Sequence, residues 1–116
     1  MNILPFPKEA FQYLGLCMRA GKVISGQDAC VSLIRKGDAA IVLVDEEASE
    51  NTKKRLNDAC QHHDVILLQL EKDNLGYAIG KPDRKVVALA KDNMANKLIQ
   101  LFKNSNNKIN PLEVET

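Results

Sequence analysis

The residues Ala39 to Val44 read Ala-Ala-Ile-Val-Leu-Val, an unbroken apolar run closed by Gly37-Asp38 before it and by Asp45-Glu46-Glu47 after it. A segment of strand length with no polar alternation has no face to offer water, so it requires cover on both sides. That constraint selects a sheet between helix layers, and the rest of the chain supplies the layers. From Pro7 to Ala20 the residues Ala10, Phe11, Leu14, Cys17 and Met18 recur at three and four, one stripe of an amphipathic helix that Gly21 ends. Val23 and Ile24 form a very short strand. Ser25-Gly26-Gln27-Asp28 then has the form of a capping box ahead of the helical pattern Ala29, Cys30, Leu33, Ile34, which Gly37 stops.

Beyond the central strand, Ser49 caps a helix with Leu56, Ala59, Cys60 and His63 inward and Lys53, Lys54 and Arg55 toward solvent, ending near His63. Val65 to Leu68 reads as another short strand, and a helical turn or two from Asp73 to Ile79 is closed by Gly80. Proline and the crowding of charge make Lys81-Pro82-Asp83-Arg84-Lys85 a loop. Val86 to Ala90 is the last strand, and Asn93 caps a final helix carrying Met94, Ala95, Leu98, Ile99 and Phe102. Past Lys103 the run Asn104-Ser105-Asn106-Asn107 has no periodicity, so residues 104–116 read as a mobile polar tail. Helices and strands thus alternate within a single domain over 1–103, and alternation of this kind predicts a mostly parallel sheet.

Composition excludes several classes. The 116 residues are 45% hydrophobic and 27% charged, proportions that fold, and no stretch approaches the roughly 20 apolar residues of a membrane helix, so a cytoplasmic protein is expected, with no membrane partner. Cys17, Cys30 and Cys60 are odd in number and contain no C-x-x-C pair, and they read as small core residues rather than a disulfide or zinc framework. Phosphate-loop, dinucleotide, nucleophile-elbow and metalloprotease motifs are absent, which argues against an enzyme and against a cofactor. Cys60 and His63 share a helical face, but a metal site needs three or four ligands and no second cluster supplies them; a helix C-terminus where histidines meet the dipole is the plainer reading.

Net charge is +1, so a polyanion footprint has to be local. Two segments qualify. Gly26, in the turn from Ser25 to Asp28, allows close backbone approach at a helix start whose free N–H groups attract phosphate, with Lys22 ahead and Lys36 at the far end. Mutual capping by Ser25 and Asp28 is the alternative for that turn. The Lys81–Lys85 loop puts Lys81, Arg84 and Lys85 within five positions, and in open α/β layers connections at one edge converge on a ligand. The acids after the central strand, Glu46 among them, suit hydrogen bonds to looped-out bases or ribose hydroxyls.

Taken in order, Ala20-Gly21-Lys22-Val23-Ile24-Ser25-Gly26, Leu33-Ile34-Arg35-Lys36-Gly37-Asp38-Ala39-Ala40-Ile41-Val42-Leu43-Val44, Ala48-Ser49-Glu50-Asn51-Thr52, Leu75-Gly76-Tyr77-Ala78-Ile79-Gly80 and Ala95-Asn96-Lys97-Leu98-Ile99 resemble bacterial members of the kink-turn-binding ribosomal protein family, the L7Ae and L30e relatives. The resemblance runs from about Phe6 to Phe102. It implies a three-layer α/β/α sandwich on a four-stranded mixed sheet and a monomer without enzymatic activity. It also implies that the turn into the second helix and the loop before the last strand bind structured RNA, ribosomal or regulatory, with ribosomal proteins as further partners. In the family that turn reads G-x-N-E with a lysine three residues on. Here Gly26 matches, while Asp28 stands at the asparagine, Ala29 at the glutamate and Ser32 at the lysine. Asp28 accepts hydrogen bonds but cannot donate one. The RNA-facing set implied is therefore Lys22, Ser25, Gly26, Gln27, Asp28, Ser32, Lys36, Glu46, Lys81, Arg84 and Lys85. A protein-interaction or ribosome-assembly module with weakened RNA binding is the alternative.

Overall fold

Each long apolar run of the sequence becomes an inner strand, and the two strands it hides best sit side by side. In the computed structural model, which describes residues 2–105, the strands are β1 (Ile3–Leu4), β2 (Val23–Ser25), β3 (Ala39–Asp45), β4 (Ile66–Leu70) and β5 (Val86–Ala90). The helices are α1 (Lys8–Arg19), α2 (Gln27–Arg35), α3 (Glu50–His63), α4 (Asn74–Ile79) and α5 (Asn93–Ser105). The sheet order is β1-β4-β3-β5-β2, so β3 is central as its apolarity demands.

Successive residues of β3 feed opposite layers. Ile41 and Leu43 pack with Leu14 and Cys17 of α1, Leu75 and Ile79 of α4, and Leu98 and Phe102 of α5. Val42 and Val44 pack with Cys30 and Ile34 of α2 and Leu56 and Cys60 of α3. The three thiols are buried, and burial pushes those of Cys30 and Cys60 up to about 12, so they serve as small apolar fillers.

The sheet corrects two expectations. It has five strands rather than four, because Ile3–Leu4 pairs in parallel with β4, Ile3 opposite Gln69 and Leu4 opposite Leu70. A two-residue strand between an unperiodic start and Pro5 leaves no pattern to read. It is mixed, as the family resemblance implies, and not mostly parallel as alternation alone predicts: β4 and β1 run parallel to β3, but β5 is antiparallel to both β3 and β2. The cause lies in α4. At six residues it advances the chain only about 9 Å, short of the roughly 16 Å needed to travel back along β4. Lys81 then folds back, donating its N–H to the Gly76 carbonyl at 2.9 Å. With no return, β5 starts at the end of the sheet where β4 stops and has to run the other way.

Local signals were read with mixed success. Ser49 caps α3, its hydroxyl oxygen accepting the Thr52 N–H at 3.1 Å. Asn93 does not cap α5; Asp92 does, Oδ1 accepting the Ala95 N–H at 2.9 Å. That hydrogen bond first, and Lys22 after it, draw the Asp92 carboxyl below its ordinary range. Lys53 is not turned to solvent: its ammonium donates to the Glu46 carbonyl at 2.6 Å and its side chain is only 17% exposed. α5 runs through Ser105, two residues into the expected tail, and residues 106–116 lie outside the described residues.

One carboxylate fastens the loops at the end where β3 and β4 finish. Asp45 is fully buried; Oδ1 accepts the Glu47 N–H at 2.7 Å and Oδ2 the Asp73 N–H at 2.8 Å. Hydrogen bonds to a charged acceptor are worth about 1.5 to 3 kcal/mol each, and their loss strands two donors. Asp45→Ala is expected to cost about 3 to 5 kcal/mol in urea unfolding, against under about 1 kcal/mol for an exposed acid such as Asp58→Ala.

Candidate nucleic-acid interface

Because β2 and β3 point the same way and β5 the opposite way, four connections open at one rim: the turn after β2, the acids after β3, the loop after β4 and the loop before β5. This is the end beyond the carboxyl ends of the parallel strands, where α/β sheets hold their ligands. The two segments singled out from the sequence meet here directly. Gly26 donates its N–H to the Val86 carbonyl at 3.0 Å, and a Cβ placed on Gly26 would stand 3.4 Å from Arg84 Nη1.

Gly26 is at φ +100° and ψ 144°, a conformation that side-chain-bearing residues avoid, and it is the residue from which α2 starts. The expected Ser25–Asp28 capping box does not form. Ser25 is the last residue of β2, opposite Val87, and no side chain caps α2. The amides of its first turn are accordingly left without a side-chain acceptor, next to a guanidinium. Asp28 turns instead toward α3, accepting from Arg55 Nη1 at 2.8 Å with its side chain 93% exposed. An exposed pair of this kind contributes at most about 1 kcal/mol. Arg55, expected in solvent, is thus half-covered and paired.

Gln27, Glu47, Ser49, Thr52, Arg84 and Lys85 line an open groove of about 280 Å³ above Gly26 and Val86. The Thr52 hydroxyl donates to Gln27 Oε1 at 2.7 Å and accepts from the Ser49 hydroxyl at 2.9 Å. The part played by Thr52 leaves no local mark in the sequence, since Gln27 and Thr52 lie 25 residues apart. Lys85 is partly shielded by Asp73 at 3.8 Å and Glu47 by Lys72 at 3.9 Å, whereas Arg84, exposed, has no carboxylate within ion-pair distance among the described residues. With Glu47 and Asp83 set against Arg84 and Lys85 the lining is balanced in charge, and Arg84 stands in it outside any ion pair among the described residues.

Several expected residues fall elsewhere. Glu46 does not line the groove: Oε1 accepts the Lys72 N–H at 2.7 Å, and Glu47 and Asp83 are the acids that do. Lys81 is exposed in the loop and gives its carbonyl to the Arg84 N–H at 2.9 Å, and Ser32 is exposed along α2. Lys22 and Lys36 sit at the opposite end of the sheet. Val23 pairs with Leu89 near the end of β5, Lys22 bridges to Asp92 at 3.4 Å, and Lys36 leads into the Asp38 carbonyl that receives the Lys91 N–H at 2.9 Å. A larger cleft of about 530 Å³ opens at that end, lined by Asp64, Lys91, Asp92 and Asn96, but acids outnumber cations in it. Among the described residues no group of three His, Cys, Asp or Glu side chains is placed to hold a metal, and no helix is long and apolar enough to cross a membrane.

A three-layer α/β/α sandwich with a glycine-opened helix start beside a basic loop defines a recognised class. Residues 8–100 match the model of the ribosomal protein L7Ae/L30e/S12e/Gadd45 family, and the chain belongs to that family. Among its relatives, the RNA-binding protein YlxQ of Bacillus subtilis (strain 168) is 45% identical over 95 residues, covering 81% of this chain and 95% of that one. The RNA-binding protein YlxQ of Enterococcus faecium is 38% identical over 96 residues, covering 82% and 92%. A solved structure of a protein with unknown function from Bacillus halodurans C superposes with a TM-score of 0.76 at 28% identity, covering 84% of this chain and 99% of that one.

Any Cβ at position 26 has to accept the positive φ, while the guanidinium at 3.4 Å is only in ordinary van der Waals contact. Gly26→Ala is expected to lower unfolding free energy by about 1 to 3 kcal/mol, whereas Ala29→Gly two positions into α2 costs about 1 kcal/mol or less. Denaturant titration of both variants checks the difference.

Proposed function

We propose that this chain is a non-catalytic, cytoplasmic RNA-binding protein that seats a sharply bent, structured RNA of the kink-turn kind, ribosomal or regulatory, in the groove between the Gly26 turn and the Arg84 loop. Membership of the family supports it, as do two relatives named RNA-binding proteins. The observation that carries it is the nearness of Gly26 to Arg84: a backbone without a side chain, uncapped helix amides and a guanidinium outside any ion pair among the described residues, all within one short rim. Those elements contact a ribose-phosphate strand and a base edge together.

The proposed roles are unequal. Arg84 is the main side-chain anchor, with Lys85 and Lys81 adding charge. Gly26 admits the backbone, and Gln27 supplies polar contacts to bases. Lys22 and Lys36, at the far end of the sheet, take no part. Few cations then touch phosphate, so affinity falls with salt along a log–log slope of only about −2 to −3.

Calorimetric titration with a kink-turn RNA carrying tandem sheared G·A pairs, and with a control in which those pairs are disrupted, tests the proposal. The wild-type chain is expected to prefer the kink-turn. Arg84→Ala is expected to weaken binding by about 1 to 3 kcal/mol, and Lys22→Ala and Lys36→Ala to change it by less than about 0.5 kcal/mol. Equal, weak binding to both RNAs contradicts kink-turn recognition and leaves the protein-interaction reading.

A further inference from the structure

The hydrogen bonds around the groove distinguish the two polar side chains that open α2, Gln27 inside the groove and Asp28 outside it. Asp28 offers only acceptors, and one of them already holds Arg55. Gln27 carries both an acceptor and two donors, and its orientation decides which a ligand meets. The acceptor is occupied: Thr52 donates its hydroxyl proton to Gln27 Oε1, and Thr52 Oγ1 in turn accepts the Ser49 hydroxyl proton. Ser49 is itself fixed, because its oxygen takes the Thr52 backbone N–H as the cap of α3. The relay thus starts in a helix cap and ends on a carboxamide across the groove. With Oε1 engaged, the Nε2 amine is the end left to donate.

We propose that Thr52 is a positioning residue for RNA recognition, holding the Gln27 carboxamide so that its NH2 group donates to an acceptor on a nucleobase edge while Arg84 occupies the same groove. The inference rests on the RNA-binding proposal above and deepens it, naming a donor and the residue that aims it. It also explains how the groove keeps a neutral side-chain donor on α2 although Asp28 cannot provide one. The ligand chemistry that follows is a base presenting acceptors outward, rather than one presenting only an exocyclic amine.

A double-mutant cycle tests it on the full chain, with the kink-turn RNA and its G·A-disrupted control as probes. Thr52→Val keeps the shape and removes the hydroxyl; Gln27→Ala removes the carboxamide; Gln27→Glu keeps the acceptor for Thr52 and removes both donors. Thr52→Val is expected to weaken kink-turn binding about three- to tenfold, and Gln27→Ala about tenfold. Thr52→Val made in the Gln27→Ala background is expected to change nothing further. Gln27→Glu is expected to bind worse than Gln27→Ala while melting at the wild-type temperature. Without RNA, the side-chain NH2 resonances of Gln27 should stand apart from those of exposed Gln12 and Gln61 in the wild type and join them in Thr52→Val. Additive losses in the cycle, or an unchanged affinity of Thr52→Val, overturn the positioning role. Resonances that do not move in Thr52→Val overturn it independently of any RNA. A wild-type chain that binds neither RNA overturns the donor role together with the function it serves, and the carboxamide resonances then still report whether Thr52 holds Gln27.

Discussion

The hydrogen bond from the Gly26 amide to the Val86 carbonyl, 3.0 Å long, joins the two segments on which everything else at the rim depends. It forms only because β5 runs antiparallel between β2 and β3, which brings the start of β5 beside the end of β2. Direction follows from the shortness of α4 and the fold-back of Lys81 onto Gly76. Space is tight there: a Cβ on Gly76 would lie 2.8 Å from Pro82 Cα. The position of Arg84 is in this sense an outcome of backbone packing three residues before it turns into β5, and Asp45 fastens the neighbouring loops from beneath.

Charge balance and local geometry lead to different expectations, and geometry decides. With 16 basic against 15 acidic residues the chain has almost no field to draw a polyanion from a distance. At the rim, Lys85 and Glu47 each face an opposite charge, and those exposed pairs contribute little either way. What remains in the groove is Arg84 beside Asp83, and the planar fork of donors on Arg84 recognises acceptor pairs by shape as well as charge. Recognition through a few fixed donors is consistent with the proposed selection of a folded RNA over bulk nucleic acid.

Much of the architecture was legible because it rests on local signals. The apolar run at β3, the three-and-four stripe of α1 and the Ser49 cap each carry their cause within a few residues. β1 was not, since two residues have no period. The sheet's mixed character follows from the family resemblance and from the brevity of the segment from Asp73 to Ile79, whereas alternation of helices and strands alone points to a parallel one. At the site, Gly26 and the Lys81–Lys85 loop were found because glycine and clustered charge are visible one at a time. Lys22 was grouped with them by nearness in sequence, yet a three-residue strand carries it about 10 Å away, to the opposite end. Thr52 and the Asp28–Arg55 pair were invisible, being contacts between helices far apart in the chain. Asn93 lost its capping role to Asp92 by a single position, within the usual uncertainty of helix boundaries.

One rim of the sheet, and not its charged far end, is the surface proposed to meet RNA. Amide resonances of the isotope-labelled chain, followed during titration with a kink-turn RNA, test it most directly. The account predicts shifts concentrated at Gly26, Gln27, Glu47, Arg84 and Lys85, with Lys22, Lys36 and Lys91 unmoved. Shifts centred on the latter three, with the rim silent, contradict it.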